Sequence, residues 1–269
     1  MEKNLNISIV LYNPEFVQIA NLVKAIKTNS YINHIYLVDN SASRNNAFEN
    51  CDVNYIFTGK NIGYGAGHNL AIRKSINDDI KYHLVLNSDI IFETSILSTL
   101  LKKVESNPDI GVIMPQILNI DGSIQLLPKL LPTPFHLLMR VVKPLRKIFH
   151  SKNKEYTLEN YPEKELDVPI ISGCFSLFRV EALKEVGLYD EKFFMYFEDF
   201  DLSRRIHNSY KTIYFPSVTI THIHERGAAK SFKLFKIFLQ SAVIYFNKYG
   251  WFFDCERNKI NYRVLKKIK

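Results

Sequence analysis

The sequence predicts an α/β protein with a mainly parallel, doubly wound sheet and a C-terminal amphipathic helix. Two patterns predict it. Short β-branched runs alternate with stretches of helical spacing as far as Met114-Pro115, as strands joined by crossover helices do. Two of those runs stop abruptly in polar groups, at Asp39-Asn40-Ser41 and at Asn87-Ser88-Asp89. The carboxyl ends of buried strands in such sheets open onto a ligand crevice, so Asp89 is placed at its mouth.

Asn6 to Leu11 is the first strand, and Pro14 suits the first turn of the helix after it. Phe16, Ile19, Ala20, Val23 and Ile26 then recur at helical spacing. His34 to Val38 and Asn54 to Phe57 are the next strands, followed by a Gly-rich turn from Gly59 to Gly67. A helix from about Leu70 to Ile76 leads into the strand Tyr82–Leu86. Ile96, Leu97, Leu100, Leu101 and Val104 mark a further helix, which Asn107-Pro108 stops. Asp121-Gly122 is a hairpin signal. Residues 128–165, rich in Pro and Lys, read as an irregular insertion. Val168–Arg179, Lys211–Phe215 and Val218–Thr221 read as strands, with helices at Glu181–Val186, Asp199–His207 and Phe232–Tyr249.

The chain has 269 residues, of which 46% are hydrophobic, enough for a sizeable core in one domain with a C-terminal appendage. A formal charge of +8 favours an anionic partner. Nucleic acid is disfavoured, because no zinc-finger spacing, RNP-like strand or Arg-rich recognition helix is present. Cys51, Cys174 and Cys255 form no Cys-x-x-Cys pair, which suits a reducing cytoplasm better than a disulfide framework or a zinc site. The sequence shows neither a signal-peptide core nor the roughly 18–20 apolar residues that span a bilayer. A soluble or peripheral protein is expected.

Four clusters carry chemistry. In Asn61-Ile62-Gly63-Tyr64-Gly65-Ala66-Gly67-His68-Asn69, glycine lets backbone approach a ligand and the following helix N-terminus attracts phosphate. The spacing matches neither a Rossmann fingerprint nor a Walker loop, and a plain loop before a helix reads equally well. Asn87-Ser88-Asp89 is either ordinary turn chemistry or a source of one hard oxygen ligand, Asp89, for Mg²⁺ or Mn²⁺. Glu198, Asp199 and Asp201 sit where acids favour a helix's first turn, and Asp201 can pair with Arg205 four residues on. Yet five of the six residues Phe193–Phe197 and Phe200 are aromatic. Desolvated carboxylates there become candidate bases. His222 and His224 share one strand face, so either could reach a metal, and Arg226 is an alternative phosphate contact.

In this order the clusters resemble glycosyltransferase family 2, in particular its bacterial rhamnosyltransferase-like branch, from about Ile7 to Tyr249. Further markers are Val10-Leu11-Tyr12-Asn13, Val38-Asp39-Asn40-Ser41, Ile171-Ser172-Gly173-Cys174 and the run Gly187–Asp201. The resemblance implies a GT-A fold over residues 1–228, with a nucleotide-binding half at about 1–115 and an acceptor half at about 116–228. Residues 229–269 would be a C-terminal helix and basic tail. It also implies an inverting single displacement from a nucleotide-sugar donor. Carried over by position, Tyr12, Asn13, Asp39, Asn61, Gly63, Asn69, Asn87, Ser88 and Gly173 contact the nucleotide sugar. Asp89 and His222 hold the metal, Asp199 is the catalytic base and Glu198 its neighbour. The first acidic position of the family's Asp-x-Asp is Asn87 here, a departure that bears on metal dependence. The Gln-x-x-Arg-Trp motif of processive members is absent, so one or a few sugars should be added.

The acceptor is argued from the surface. Lys129, Arg140, Lys143, Arg146, Lys147, Lys152 and Lys154 interleave with Leu130, Leu131, Phe135, Leu137, Leu138, Met139, Ile148 and Phe149. Such mixing suits an interfacial segment on an anionic membrane surface. Lys230, Lys233, Lys236, Lys248 and the tail from Arg257 extend the charge, although for the tail alone a helix packed on the domain is the plainer reading. The expectation is a rhamnosyltransferase using dTDP-rhamnose on a lipid-linked glycan of bacterial surface polysaccharide (O-antigen or capsule), peripheral on the inner face of the cell membrane. The alternatives are a UDP-hexose or UDP-galactofuranose donor, or a non-catalytic sugar-binding partner of an assembly complex. Oligomeric state is left open.

Overall fold

The computed structural model describes residues 3–223 and 231–268. His224, Arg226 and Lys230 lie outside them, as do the side chains of Arg140, Lys143 and Arg146. The N-terminal half runs β1 (Leu5–Leu11), α1 (Phe16–Ile26), β2 (Ile32–Asp39), a 3₁₀ turn (Asn46–Cys51), β3 (Asn54–Phe57), α2 (Tyr64–Asn77) and β4 (Tyr82–Leu86). Then come β5 (Ile90–Ile91), α3 (Ile96–Glu105) and β6 (Ile110–Leu118). Strands β1 to β4 pair in parallel in the order β3-β2-β1-β4, as the alternation of strand and helix predicts. The chain leaves β1 to one side for β2 and β3, then crosses back through α2 to place β4 on the other side of β1. At this switch in strand order a crevice opens at the carboxyl ends.

The second half departs from that pattern. Strand β8 (Phe175–Arg179) inserts antiparallel between β4 and β6. Its chain arrives from a long excursion rather than through a crossover helix, so nothing forces it to run parallel. β7 (Leu166–Asp167) and β5 also pair antiparallel, both with β9 (Lys211–His222), which itself runs parallel to β6. The two late strands expected at 211–215 and 218–221 are one strand, with a register shift against β6 between Pro115 and Gln116. The hairpin at Asp121-Gly122 closes through Asn119 N–H to the Ser123 carbonyl, 2.8 Å.

Residues 128–165 are not irregular throughout: they carry α4 (Pro134–Val141), α5 (Lys143–Ile148) and α6 (His150–Tyr156). The first starts from a capping box in which His136 takes the place usually held by Glu, a signal that residue pattern alone does not offer. Helices α7 (Val180–Val186) and α8 (Glu198–Ser209) flank the sheet. Helix α9 (Phe232–Tyr249) matches the expected amphipathic helix, and the basic tail is a further helix, α10 (Cys255–Ile268). It buries Arg257, Ile260, Val264 and Ile268 at helical spacing, with Val264 and Ile268 in the same apolar core as the sheet.

Beneath the crevice a buried polar network ties three elements together. Ser8 Oγ on β1 bridges His68 Nδ1 on α2 (2.6 Å) and His83 Nε2 on β4 (2.8 Å), and Ser75 Oγ meets His83 Nδ1 at 2.7 Å. Burial pushes the His83 pKa down to about 3 and that of His68 well below its usual value. Burial thus favours the neutral form of both rings within this network.

Candidate active site

Strand pairing builds the first part of the site. Ile90 pairs antiparallel with His222, and the Ile223 N–H donates to the Asp89 carbonyl at 2.9 Å. This sets Asp89 Oδ1 3.2 Å from His222 Nε2. Gln125 Oε1 lies 3.3 Å from Nδ1, holding the proton there and turning Nε2 toward Asp89. Burial alone would lower the His222 pKa, but hydrogen bonds to Asp89 and Cys174 outweigh it and push it up to about 10.

The second part is carried by α8. The chain enters this helix through Tyr196 and Phe197, both at positive φ (69° and 66°), a costly conformation for aromatic residues. Phe197 is held there by the aromatic cluster of Phe193, Phe238, Tyr245 and Phe246. The turn presents two adjacent carboxylates to different surroundings. Asp199 accepts hydrogen bonds from the N–H groups of Gly173 (3.2 Å) and Phe200 (2.9 Å). Glu198 is buried, and its Oε2 meets no partner among the described residues. A Cβ at Gly65 would sit 2.8 Å from Tyr189 Cβ, so only glycine packs there, and Glu198 Cβ lies just beyond at 3.4 Å. Desolvation raises both pKa values, that of Glu198 well above normal with the Asp199 charge adding to it. The backbone donors on Asp199 oppose its rise, so a negative charge on the pair is better held by Asp199 than by Glu198.

Tyr64, in the first turn of α2, connects the two parts. Its hydroxyl lies 2.7 Å from both the Gly173 carbonyl and Asn87 Oδ1. Asn87 Nδ2 is 3.4 Å from His222 Nε2. Asp199, Gly173, Tyr64, Asn87, His222 and Asp89 thus form one continuous series of polar contacts. Residue pattern and the family resemblance together name every member except Tyr64, whose signal is its place between two glycines at a helix start.

Beside this series lies a cavity of about 410 Å³, lined by Tyr12, Asn40, Asn61, Gly63, Tyr64 and, from α9, Lys233 and Leu234. Asn40 was not anticipated there; its Nδ2 donates to the Gly63 carbonyl at 2.9 Å. Gly63 has φ +97°, and a Cβ would sit 2.5 Å from the Phe194 carbonyl oxygen. Six expected contacts do not line the cavity: Asn87 and Gly173, which belong to the polar series, and Asp39, Asn69, Asn13 and Ser88. Asp39 is fully buried, its carboxylate accepting from Tyr55 OH (2.6 Å) and Ser41 N–H (2.9 Å). Both ends of the Asn69 amide are taken by Tyr189 backbone and Glu191. Asn13, at φ 49°, donates its N–H to Ser41 Oγ. Ser88 contributes its carbonyl to Gln18 at 3.3 Å.

With the Nε2 proton displaced by the ion, as metal ligation by an imidazole requires, the donor set at Asp89 and His222 fits a divalent ion. One carboxylate oxygen and one imidazole nitrogen converge, and Asp89 is part-exposed toward solvent. Among the described residues no group of three or more His, Cys, Asp or Glu comes together. The ion's other ligands would be diphosphate oxygens and water.

The profile described as Glycosyl transferase family 2 matches residues 7–187, ending before the Glu198–Asp199 pair and His222. Similar curated proteins include the N-acetylglucosaminyl-diphospho-decaprenol L-rhamnosyltransferase of Mycobacterium tuberculosis, 27% identical over 187 residues, covering 64% of this chain and 59% of that protein. The low-salt glycan biosynthesis hexosyltransferase Agl10 of Haloferax volcanii is 29% identical over 209 residues, covering 76% of this chain and 62% of its own. The chain spans about three fifths of the length of these relatives. Among solved structures, the Pyrobaculum calidifontis mannosyltransferase PcManGT in complex with GDP-Man and Mn²⁺ superposes with a TM-score of 0.56 at 15% identity, covering 92% of this chain and 65% of that one. S. aureus TarS gives 0.59 at 13% identity, covering 99% and 43%. These likenesses, with a nine-stranded sheet flanked by helices, establish the GT-A fold. By the extent of the family match, the chain belongs to glycosyl transferase family 2.

Proposed function

We propose that this protein is an inverting glycosyltransferase that moves rhamnose from dTDP-rhamnose onto a lipid-linked glycan during synthesis of a bacterial surface polysaccharide. The observation that carries the reading is the unbroken polar series from Asp199 to the Asp89–His222 pair. It joins a desolvated carboxylate to a pair suited to a cation at a diphosphate. The name of the mycobacterial relative supports rhamnose and a diphospholipid-linked acceptor. Location at the inner membrane face is part of the proposal; among the described residues no helix is long and apolar enough to cross a membrane.

In this reading the nucleotide occupies the cavity beside Tyr12 and Asn61. The acceptor hydroxyl oxygen attacks the anomeric carbon as the bond to the diphosphate oxygen breaks, inverting the carbon. Its proton passes to the Asp199 carboxylate, held in place by the Gly173 and Phe200 N–H groups. Glu198, protonated and enclosed, withholds a second negative charge from the anionic donor. A Mg²⁺ or Mn²⁺ ion at Asp89 and His222 would neutralise charge on the departing diphosphate. The imidazole makes Mn²⁺ the better fit, since Mg²⁺ prefers oxygen ligands.

A panel of dTDP-, UDP- and GDP-sugars, each assayed for protection against thermal unfolding with and without Mn²⁺, tests the donor and the metal together. dTDP-rhamnose should protect most strongly, and more so with Mn²⁺. Asp89→Ala should abolish the Mn²⁺-dependent increment and lower transfer ~10²-fold or more. Protection by another nucleotide sugar alone would reassign the donor, and an unchanged Mn²⁺ increment in Asp89→Ala would remove the metal role.

A further inference from the structure

We propose that the outward face of α9, with the Trp251–Phe253 loop that follows, is the surface by which this protein docks on an anionic lipid leaflet. The proposal rests on the reading that the acceptor is lipid-linked, and it names the part of the molecule that meets the lipid. The inner face of α9 is accounted for, since Phe238, Ala242, Tyr245 and Phe246 pack on Phe193 and Phe197. The outer face is apolar as well. Phe232 (84% exposed), Leu239 (44%) and Val243 (43%) lie seven and four residues apart, along one stripe.

The stripe runs toward a loop that strengthens it. Gly250 has φ +100°, and a Cβ there would sit 2.4 Å from the Phe253 carbonyl oxygen. This glycine-only turn leaves Phe252 and Phe253 projecting, 78% and 94% exposed. Rings at that level suit a membrane–water interface. The charge is one-sided. Residues 231–253 contain three lysines and no Asp or Glu; Lys248 is spent on Asp190 and Asp201, which leaves Lys233 and Lys236 to carry the charge of this face. The next acid, Asp254, is buried against Arg204 at 2.7 Å. Lys233 and Lys236 are therefore placed to meet lipid phosphates, while the rings enter the acyl boundary.

Position relative to the cleft agrees. A groove of about 510 Å³ along this face, lined in part by Lys192, Lys236, Leu239 and Val243, shares Phe194 and Ile237 with the donor-side cavity. A leaflet seated on α9 would present a lipid-borne head group beside the site. The segment 129–154, expected from its composition to be interfacial, is partly core: Leu130, Leu131 and Met139 are buried, leaving Leu138, Val141 and Ile148 outward.

Trp251 is the chain's only tryptophan, so its emission reports on this surface alone. The full chain should co-sediment with vesicles of phosphatidylglycerol and phosphatidylcholine, with a blue shift in Trp251 emission, and should bind pure phosphatidylcholine far less. The double variant Phe252→Ser/Phe253→Ser should lose roughly tenfold or more of that partitioning, with its far-UV CD and donor-induced thermal protection unchanged. Absence of wild-type binding, or undiminished binding by the variant, overturns the proposal. So does loss of binding through Lys147→Glu/Ile148→Ser with Phe252→Ser/Phe253→Ser unaffected. A wild-type dimer that the Phe variant dissolves, with no vesicle binding, would assign the face to a second copy instead. Donor protection is measured without lipid, so these outcomes leave the transfer reading standing or falling on its own.

Discussion

Glu198 and Asp199 are neighbours in sequence with opposite electrostatic fates, and each supplies a prediction. Asp199→Asn keeps size and polarity but cannot take a proton, so turnover should fall ~10²–10⁴-fold with donor binding intact. Because the Asp199 pKa is raised, the acid limb of kcat/KM should lie above the ordinary value of 3.8. Near-normal turnover in Asp199→Asn would move the base elsewhere. For Glu198 the folded pKa is raised well above 4.5, so the folded state holds more protons than the unfolded one. Stability from this group is full below about pH 4.5 and is lost as pH rises through the folded pKa. Glu198→Gln should therefore melt above wild type near pH 8, with the gap closing near pH 4; thermal melts at both pH values check this. Residue type and order mark Asp89, the Glu198–Asp199 pair and the two late histidines, and the family resemblance selects Asp199 and His222 among them. They do not reveal that Asp39 and Asn69 turn away from the cavity, because those side chains are consumed by partners distant in sequence, Tyr55 for one and Tyr189 for the other.

Two turns and one clamp make the elements into a site. At the turn into α2, Gly63→Ala meets a positive φ and the Phe194 carbonyl together. It should cost about 1–3 kcal/mol and weaken donor protection, since the Tyr64 N–H to Phe194 carbonyl bond shares that contact. Unaltered melting and donor binding would show that the turn has slack. The clamp is Asp201, fully buried on α8, whose carboxylate meets Arg205 (2.9 Å), Lys248 (2.6 Å) and Tyr249 OH (2.7 Å). Removing a buried charge from such a set typically costs about 3–5 kcal/mol. Asp201→Asn should accordingly lower the unfolding midpoint far more than it lowers kcat. The Arg205 partner is legible from the four-residue spacing. The α9 partners are not, because nothing local in the sequence indicates that α9 returns to α8.

At the scale of the molecule, the parallel half is the legible half, because each strand there is followed by the helix that carries the chain to its neighbour. The order β8-β6-β9 is set by long-range pairing, and no periodicity announces it. The same holds for the C-terminal helices, which read as an appendage yet complete two cores. Helix α9 closes the aromatic cluster of Phe193 and Phe197, while α10 and the turn before it bring Val264 to the main core and Asp254 to Arg204. A chain ending at residue 230 should uncover those aromatic rings and leave a buried guanidinium without its carboxylate. It should aggregate and lose its cooperative melt. A soluble fragment 1–230 with a sharp transition would mean that these contacts are dispensable.

The wall that α9 gives to the donor-side cavity also bears on how the protein is made. On the ribosome the parallel strands emerge first and can pair while the rest is still being translated. Tyr12, Asn61 and Gly63 are then in place, but Lys233 and Leu234 are not. Until they arrive the cavity lacks a side, so under the proposed donor assignment the nascent chain could not yet draw stability from nucleotide sugar. Donor-assisted maturation would be confined to the interval after α9 leaves the exit tunnel.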